Sequence, residues 1–128
     1  MFRPLVVLLA LTVCVSAAET RSFYGTRQPP RSLLRFWEPI DNSWWKKGST
    51  PKLDRRSRAF AAQTRPEIII PDMIRDLKEH PSEVRWFVYL GVMSYWPKKA
   101  VLPILASSQH SADPAIRHIA DEFYADIE

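Results

Sequence analysis

Cysteine is almost absent from this chain, and its one cysteine, Cys14, lies close to the N-terminus. Without further cysteines the fold has no disulfide to stabilise it and no thiol for catalysis or for a cysteine-based metal site. Glycine is scarce as well, and Gly25, Gly48 and Gly91 are too far apart to form a glycine-rich phosphate-binding loop. The protein must therefore be stabilised by apolar packing or by a partner.

The N-terminus predicts a secretory signal peptide over residues 1–18. Arg3 supplies a positive charge, residues 5–15 form an uninterrupted apolar run, and small residues precede the expected cleavage site after Ala18. The run is too short for a membrane-spanning helix, which needs about 20 apolar residues. We expect cleavage, which removes Cys14 and gives a secreted or periplasmic protein; an uncleaved N-terminal anchor is the alternative.

Charge is divided unevenly along the remaining chain. Residues 19–65 hold 11 Lys and Arg against 4 Asp and Glu, whereas residues 66–128 hold 6 against 10. The first stretch is interrupted by prolines and has no sustained periodicity, so we expect a mostly irregular basic arm with short helices near residues 32–37 and 54–63. The opposite charges indicate either two functional regions or one half that folds onto the other.

The arm combines aromatic and basic side chains, which suits binding to an anionic membrane surface or an acidic polymer. The candidate binding residues are Trp37, Trp44, Trp45, Lys46, Lys47, Arg55, Arg56 and Arg58. The interpretation that we favour is that the tryptophans pack on the second half of the chain as a cap while the basic side chains remain in solvent. No nucleic-acid partner is expected for an exported protein.

Residues 66–128 show the periodicity of amphipathic helices and predict an all-α fold. We expect four helices: one opened by Pro71 and closed before Pro81, and three more over residues 82–95, 98–107 and 114–127. In the last helix the apolar residues form a single stripe, which consists of Ile116, Ile119, Ala120, Phe123 and Ile127.

The four predicted helices repeat as two pairs. The segments 81–85 and 113–117 each place a β-branched residue and an arginine shortly after a proline, and the β-branched residues, Val84 and Ile116, are 32 positions apart. This pattern resembles HEAT-like helical repeats over about residues 67–128. The resemblance implies antiparallel helix pairs and a role in protein–protein interaction, although a fold alone does not determine a function.

The helix over residues 82–95 is apolar on nearly every side. One stripe consists of Val84, Phe87, Val88, Gly91, Val92 and Tyr95, and a second consists of Trp86, Tyr89, Leu90 and Met93. A helix that is apolar all round is buried all round, and two repeat pairs cover only one of its faces. The other face needs the arm, a second copy of the chain or another protein to cover it. We predict that the second stripe contacts such a partner.

Patterns for catalysis are weak. His118 and Glu122 lie one helical turn apart and could hold a metal ion, but a solvated side-chain pair explains them more simply. His110, Ser111 and Asp113 have the residue types of a hydrolase triad, yet they crowd into one turn. We therefore expect a protein that is not an enzyme, that needs no cofactor or metal, and that acts as an interaction or scaffold module of the cell envelope or extracellular space.

Overall fold

The structure is a computed structural model that describes residues 30–45 and 50–128. In this part of the chain the regular elements are all helical and no strand occurs, so the prediction of an all-α fold is confirmed. In chain order the elements are α1 (Arg31–Trp37), a 3-10 helix (Asn42–Trp45), α2 (Thr50–Gln63), α3 (Pro66–Glu79), α4 (Glu83–Met93), α5 (Lys98–Ser108) and α6 (Pro114–Ile127). The predicted signal peptide lies outside the described residues. Among the helices described, none is long and apolar enough to cross a bilayer.

Capping side chains explain where the later helices begin. At the start of α4, Ser82 Oγ accepts a hydrogen bond of 3.2 Å from the backbone amide of Arg85. At the start of α6, Asp113 Oδ1 accepts one of 2.9 Å from the amide of Ala115. Each bond satisfies an amide that has no partner within the helix. His80 ends α3 because the residue before a proline disfavours helical geometry.

Two helix starts differ by four or more residues from the sequence-based expectation, and the other bounds differ by two at most. α3 begins at Pro66, and Pro71, which was expected to open it, lies inside the helix. Both prolines suit a first helical turn, and the burial of Ile69 and Ile70 between them favours the earlier start. α2 begins at Thr50 rather than at residue 54. The expectation of a mostly irregular arm is therefore wrong for the described residues, which are largely helical there.

The helices form two layers. In the first layer α1 contacts α3, and α3 contacts α5. In the second layer α2 contacts α4, and α4 reaches α6 through the stacked rings of Trp86 and Phe123, whose centroids are 3.9 Å apart. Across the layers, α6 contacts both α3 and α5. This arrangement places α4 in the middle of the second layer, with α2 on one side and α6 on the other.

A single hydrophobic core joins the stretch before residue 66 to the helices after it. Leu33, Phe36 and Trp37 of α1 are buried, as are Trp44 of the 3-10 helix and Ala61 of α2. They pack with apolar side chains from all four later helices. Large aromatic side chains contribute strongly to a core that has no disulfide. Trp37 and Trp44 are therefore packing residues in this structure.

Candidate interaction surface

A polar cluster lies inside the core where α1, α3 and α4 meet. The carboxylate of Asp76 is fully buried, and its Oδ2 accepts hydrogen bonds from the Tyr89 hydroxyl and, at 2.8 Å, from Arg85 Nη1. Trp37 Nε1 donates a hydrogen bond of 2.7 Å to the same hydroxyl. The guanidinium of Arg85 lies 4.8 Å from the centroid of the Trp37 ring, within cation–π range. The cluster therefore ties α1 to the two helices that follow α2.

Burial raises the pKa of the Tyr89 hydroxyl well above its ordinary value, and the charge of Asp76 raises that pKa further. Tyr89 therefore remains a hydrogen-bond donor to the carboxylate. Asp76 Oδ1 and His80 Nε2 are 3.9 Å apart, and neither has a hydrogen-bond partner among residues 30–45 and 50–128. Because Asp76, Tyr89 and Trp37 are fully buried, no substrate reaches the cluster in this conformation. The arrangement fixes the positions of three helices.

The predicted partner-binding stripe of α4 divides into a buried part and a surface part. Tyr89 and Met93 are buried in the core, so they do not reach a partner in this conformation. Trp86 and Leu90 are only partly buried. The Trp86 ring stacks parallel to Phe123, and its Nε1 donates a hydrogen bond of 3.3 Å to an exposed carboxylate on α6. The stripe therefore serves mainly to join helices.

The exposed apolar surface of α4 comes from the other stripe. Phe87 is 62% exposed and Val84 is 41% exposed, and both side chains point away from the core. Gly91, on the same side of the helix, is partly exposed. We call Val84, Phe87 and Gly91 the α4 ridge. Soluble proteins expose single apolar residues routinely, but a group of them beside an apolar hollow is a candidate interaction site. Sequence reasoning missed this surface because it assigned these residues to the covered side of the helix.

An apolar groove of about 300 Å³ separates the α4 ridge from α2. Its lining consists of Leu53, Asp54 and Ser57 from α2 and of Val84, Phe87, Val88 and Gly91 from α4. A Cβ atom built on Gly91 would meet no heavy atom within 4 Å apart from its chain neighbours and the backbone of its own helix, so packing inside the protein does not require glycine there. Glycine inside a helix costs about 1 kcal/mol relative to alanine. Glycine at position 91 therefore costs the fold some stability, and the groove is wider there than it would be beside a larger side chain.

A second hollow, of about 410 Å³, lies on the opposite side of the ridge between α4 and α6. Its lining includes Trp86, Phe87, Ile119 and Glu122. Phe87 therefore forms the crest between two hollows. A protruding aromatic side chain with concave surfaces on both sides offers a partner both a projection and places to insert its own side chains.

Arg56, predicted to bind anions, is used within the fold. Its Nε donates a hydrogen bond of 2.9 Å to the carbonyl of Phe36, and its Nη2 donates one of 2.6 Å to the carbonyl of Arg35. These carbonyls lie at the C-terminal end of α1, where backbone acceptors lack helical partners and attract positive charge. The rings of Phe36 and Phe60 also pack together, with centroids 4.8 Å apart. Arg56 therefore helps to join α1 to α2.

The remaining basic candidates divide between the surface and the part of the chain that is not described. Arg58 is exposed, lies 5.4 Å from the centroid of the Tyr95 ring and is 3.9 Å from Asp54. Arg55 is exposed on the same helix. Lys46 and Lys47 lie outside the described residues, and so does the side chain of Trp45. The structure thus places two of the predicted basic residues on one exposed surface of α2.

The weak catalytic patterns have structural explanations in the described residues. His118 Nε2 lies 2.8 Å from Glu122 Oε1 on the exposed face of α6. Asp113 caps α6 and pairs with Lys78; that pairing, together with the helix amides, holds the pKa of Asp113 below its ordinary value. Within residues 30–45 and 50–128, no three His, Cys, Asp or Glu side chains come together to hold a metal ion.

Comparisons with protein-family models, with curated proteins and with solved structures give no match for this chain.

Proposed function

We propose that this protein is an exported interaction module that is not an enzyme, and that it binds a protein partner through the α4 ridge. The signal-peptide pattern supports export to the periplasm or the extracellular space. The observation that carries the binding proposal is the position of Phe87, which is 62% exposed on the crest between two hollows. Burial of such a side chain contributes about 1.5–3 kcal/mol, enough to make it a dominant contact.

We also propose that the described chain consists of HEAT-like antiparallel helix pairs. The support is the layered arrangement, in which alternate helices stack: α1 on α3 and α3 on α5 in one layer, and α2 on α4 in the other. In this interpretation α1 and α2 form a pair that precedes the two pairs expected from the sequence. Three repeats are about the minimum for a stable stack, which accounts for a shared core without disulfides.

The binding proposal is tested by affinity capture from the exported fraction of the native organism. The full chain serves as bait beside a Phe87→Glu variant, with circular dichroism to establish that both fold. The matched control is Ile68→Glu, because Ile68 is similarly exposed but lies on α3, away from both hollows. We expect a protein that the wild type and the control retain and that the Phe87 variant loses. Equal retention by all three chains would contradict the proposal.

A second candidate function is binding to an anionic membrane surface or acidic polymer through the basic surface of α2, and the exposure of Arg55 and Arg58 favours it. Such binding weakens steeply as salt is added, because it depends on charge. Cosedimentation with vesicles that contain anionic lipid, at low and at physiological salt, tests this candidate. Retention by uncharged vesicles to the same extent would exclude it.

A further inference from the structure

We propose that the partner of the α4 ridge is a second copy of this chain, related by a two-fold axis that runs along α4 and places α2 of each copy over α6 of the other. The inference rests on the proposed binding function of the ridge and names its occupant. It follows from how charge is distributed over the second helical layer.

The surface of that layer changes sign from one side to the other. α2 carries four Lys and Arg residues and one Asp, whereas α6 carries three Asp and Glu residues and one Arg. Between them, the residues of the α4 ridge are all uncharged. The exposed Lys, Arg, Asp and Glu side chains are Lys52, Asp54, Arg55 and Arg58 on α2, with a net positive charge, and Arg117, Asp121, Glu122 and Asp126 on α6, with a net negative charge. The layer therefore presents a basic edge, an apolar centre and an acidic edge.

A surface with this distribution is complementary to itself. A two-fold axis parallel to α4 exchanges left and right, so each basic edge faces an acidic edge while the two apolar ridges meet at the centre. An axis at right angles to α4 would instead place α2 on α2 and α6 on α6, and like charges would repel. Isologous contacts in symmetric dimers require such self-complementarity. Charge thus selects one of the two symmetric ways to pair the layers.

The shape of the ridge agrees with this arrangement. Across the axis the two ridges lie side by side rather than crest on crest, so that Phe87 of each copy projects toward one of the concave surfaces that flank the ridge of the other. Gly91 on the ridge lets two α4 helices approach closely, since no Cβ projects there. The interface then has an apolar centre and a charged rim, as stable protein interfaces generally do.

Sedimentation velocity of the purified full chain, over a range of concentrations, measures the predicted association. We expect a concentration-dependent equilibrium between monomer and dimer, and we expect Phe87→Glu to be monomeric throughout the range. Ile68→Glu, which changes an exposed residue on the other layer, is expected to dimerise as the wild type does. Circular dichroism of each variant separates lost association from lost folding. A wild type that stays monomeric at every concentration overturns the second-copy proposal.

Charge reversal tests the geometry directly. Arg55→Glu and Glu122→Arg each place like charges across the interface, and each is expected to weaken dimerisation by about tenfold. The double variant exchanges the two charges and is expected to recover most of the wild-type affinity. A merely structural role for either residue would give additive losses, so failure of the double variant to recover overturns the α2-over-α6 arrangement. If the monomeric chain instead captures an unrelated protein through Phe87, the second-copy proposal is overturned while the binding function stands.

Discussion

The indole nitrogen of Trp37 donates a hydrogen bond of 2.7 Å to the hydroxyl of Tyr89, 52 residues further along the chain. The hydroxyl of Tyr89 in turn donates a hydrogen bond to the buried carboxylate of Asp76. The two bonds connect α1 with α3 and α4 in the middle of the core, so the described segment before residue 66 packs in the same core as the later helices. Buried polar groups that satisfy one another in this way also fix the relative positions of the helices that carry them.

Tyr89→Phe is expected to lower the free energy of unfolding by about 1–3 kcal/mol, because it removes the hydroxyl that accepts a hydrogen bond from the Trp37 indole and donates one to Asp76. Urea denaturation followed by tryptophan fluorescence measures the change. Tyr124→Phe is the matched control, since the hydroxyl of Tyr124 makes no hydrogen bond within the described residues and the side chain is only partly buried. Equal losses in the two variants would show that the cluster does not contribute.

Arg85→Ala is expected to be more damaging, with a loss of about 3–5 kcal/mol, because it leaves the buried Asp76 carboxylate without its counter-charge. The comparison variant is Arg75→Ala, which breaks a largely exposed pair with Asp72 at 3.6 Å. Exposed pairs contribute at most about 1 kcal/mol. Thermal unfolding of both variants checks the difference, and similar melting temperatures would contradict the assignment of Arg85 to the buried cluster.

Stability is expected to fall at alkaline pH through Tyr89. The pKa of its hydroxyl is raised in the folded protein, so the folded state holds that proton more tightly than the unfolded state does. The contribution is complete below the ordinary tyrosine pKa of about 10 and is lost progressively as the pH rises beyond it. Free energies of unfolding between about pH 8 and pH 11 should therefore decline more steeply for the wild type than for Tyr89→Phe. If the free energy of unfolding falls equally with pH in the two proteins, Tyr89 does not contribute to the alkaline loss of stability.

Gly91→Ala is expected to stabilise the fold by about 0.5–1 kcal/mol, because alanine favours the helix and its methyl group meets no neighbour within 4 Å. Larger residues at this position narrow the groove, so Gly91→Leu should keep the fold while it weakens association. Calorimetry and sedimentation velocity measure the two properties separately. A destabilised alanine variant would show that Gly91 is required for packing.

Much of the fold follows from local sequence patterns. The apolar stripe and the capping aspartate of α6 predict its bounds, and the expected helix over residues 114–127 is present. Pro71 shows where such reasoning stops. A proline early in a helix and a proline that opens one look alike in sequence, and the tertiary burial of Ile69 and Ile70 decides between them.

The candidate surface could be predicted less well than the fold. α4 has two apolar stripes, and periodicity alone does not tell which of them the rest of the chain covers. The core covers Tyr89 and Met93, whereas Val84 and Phe87 reach solvent. The deciding contacts come from α2 and α6, which lie on either side of α4 in space but far from it in sequence. Glycine within the exposed stripe was the one local signal for that surface.

The most direct test of the account is photo-crosslinking from position 87. The full chain is produced in its native host with p-benzoylphenylalanine at that position, or at position 68 as the exposed control, and the cells are irradiated together with their medium. The account predicts a covalent adduct from position 87, with mass spectrometry identifying this same chain as the captured protein, and little or none from position 68. Adducts of equal yield from both positions, or none from position 87, would contradict the assignment of the α4 ridge as a binding surface.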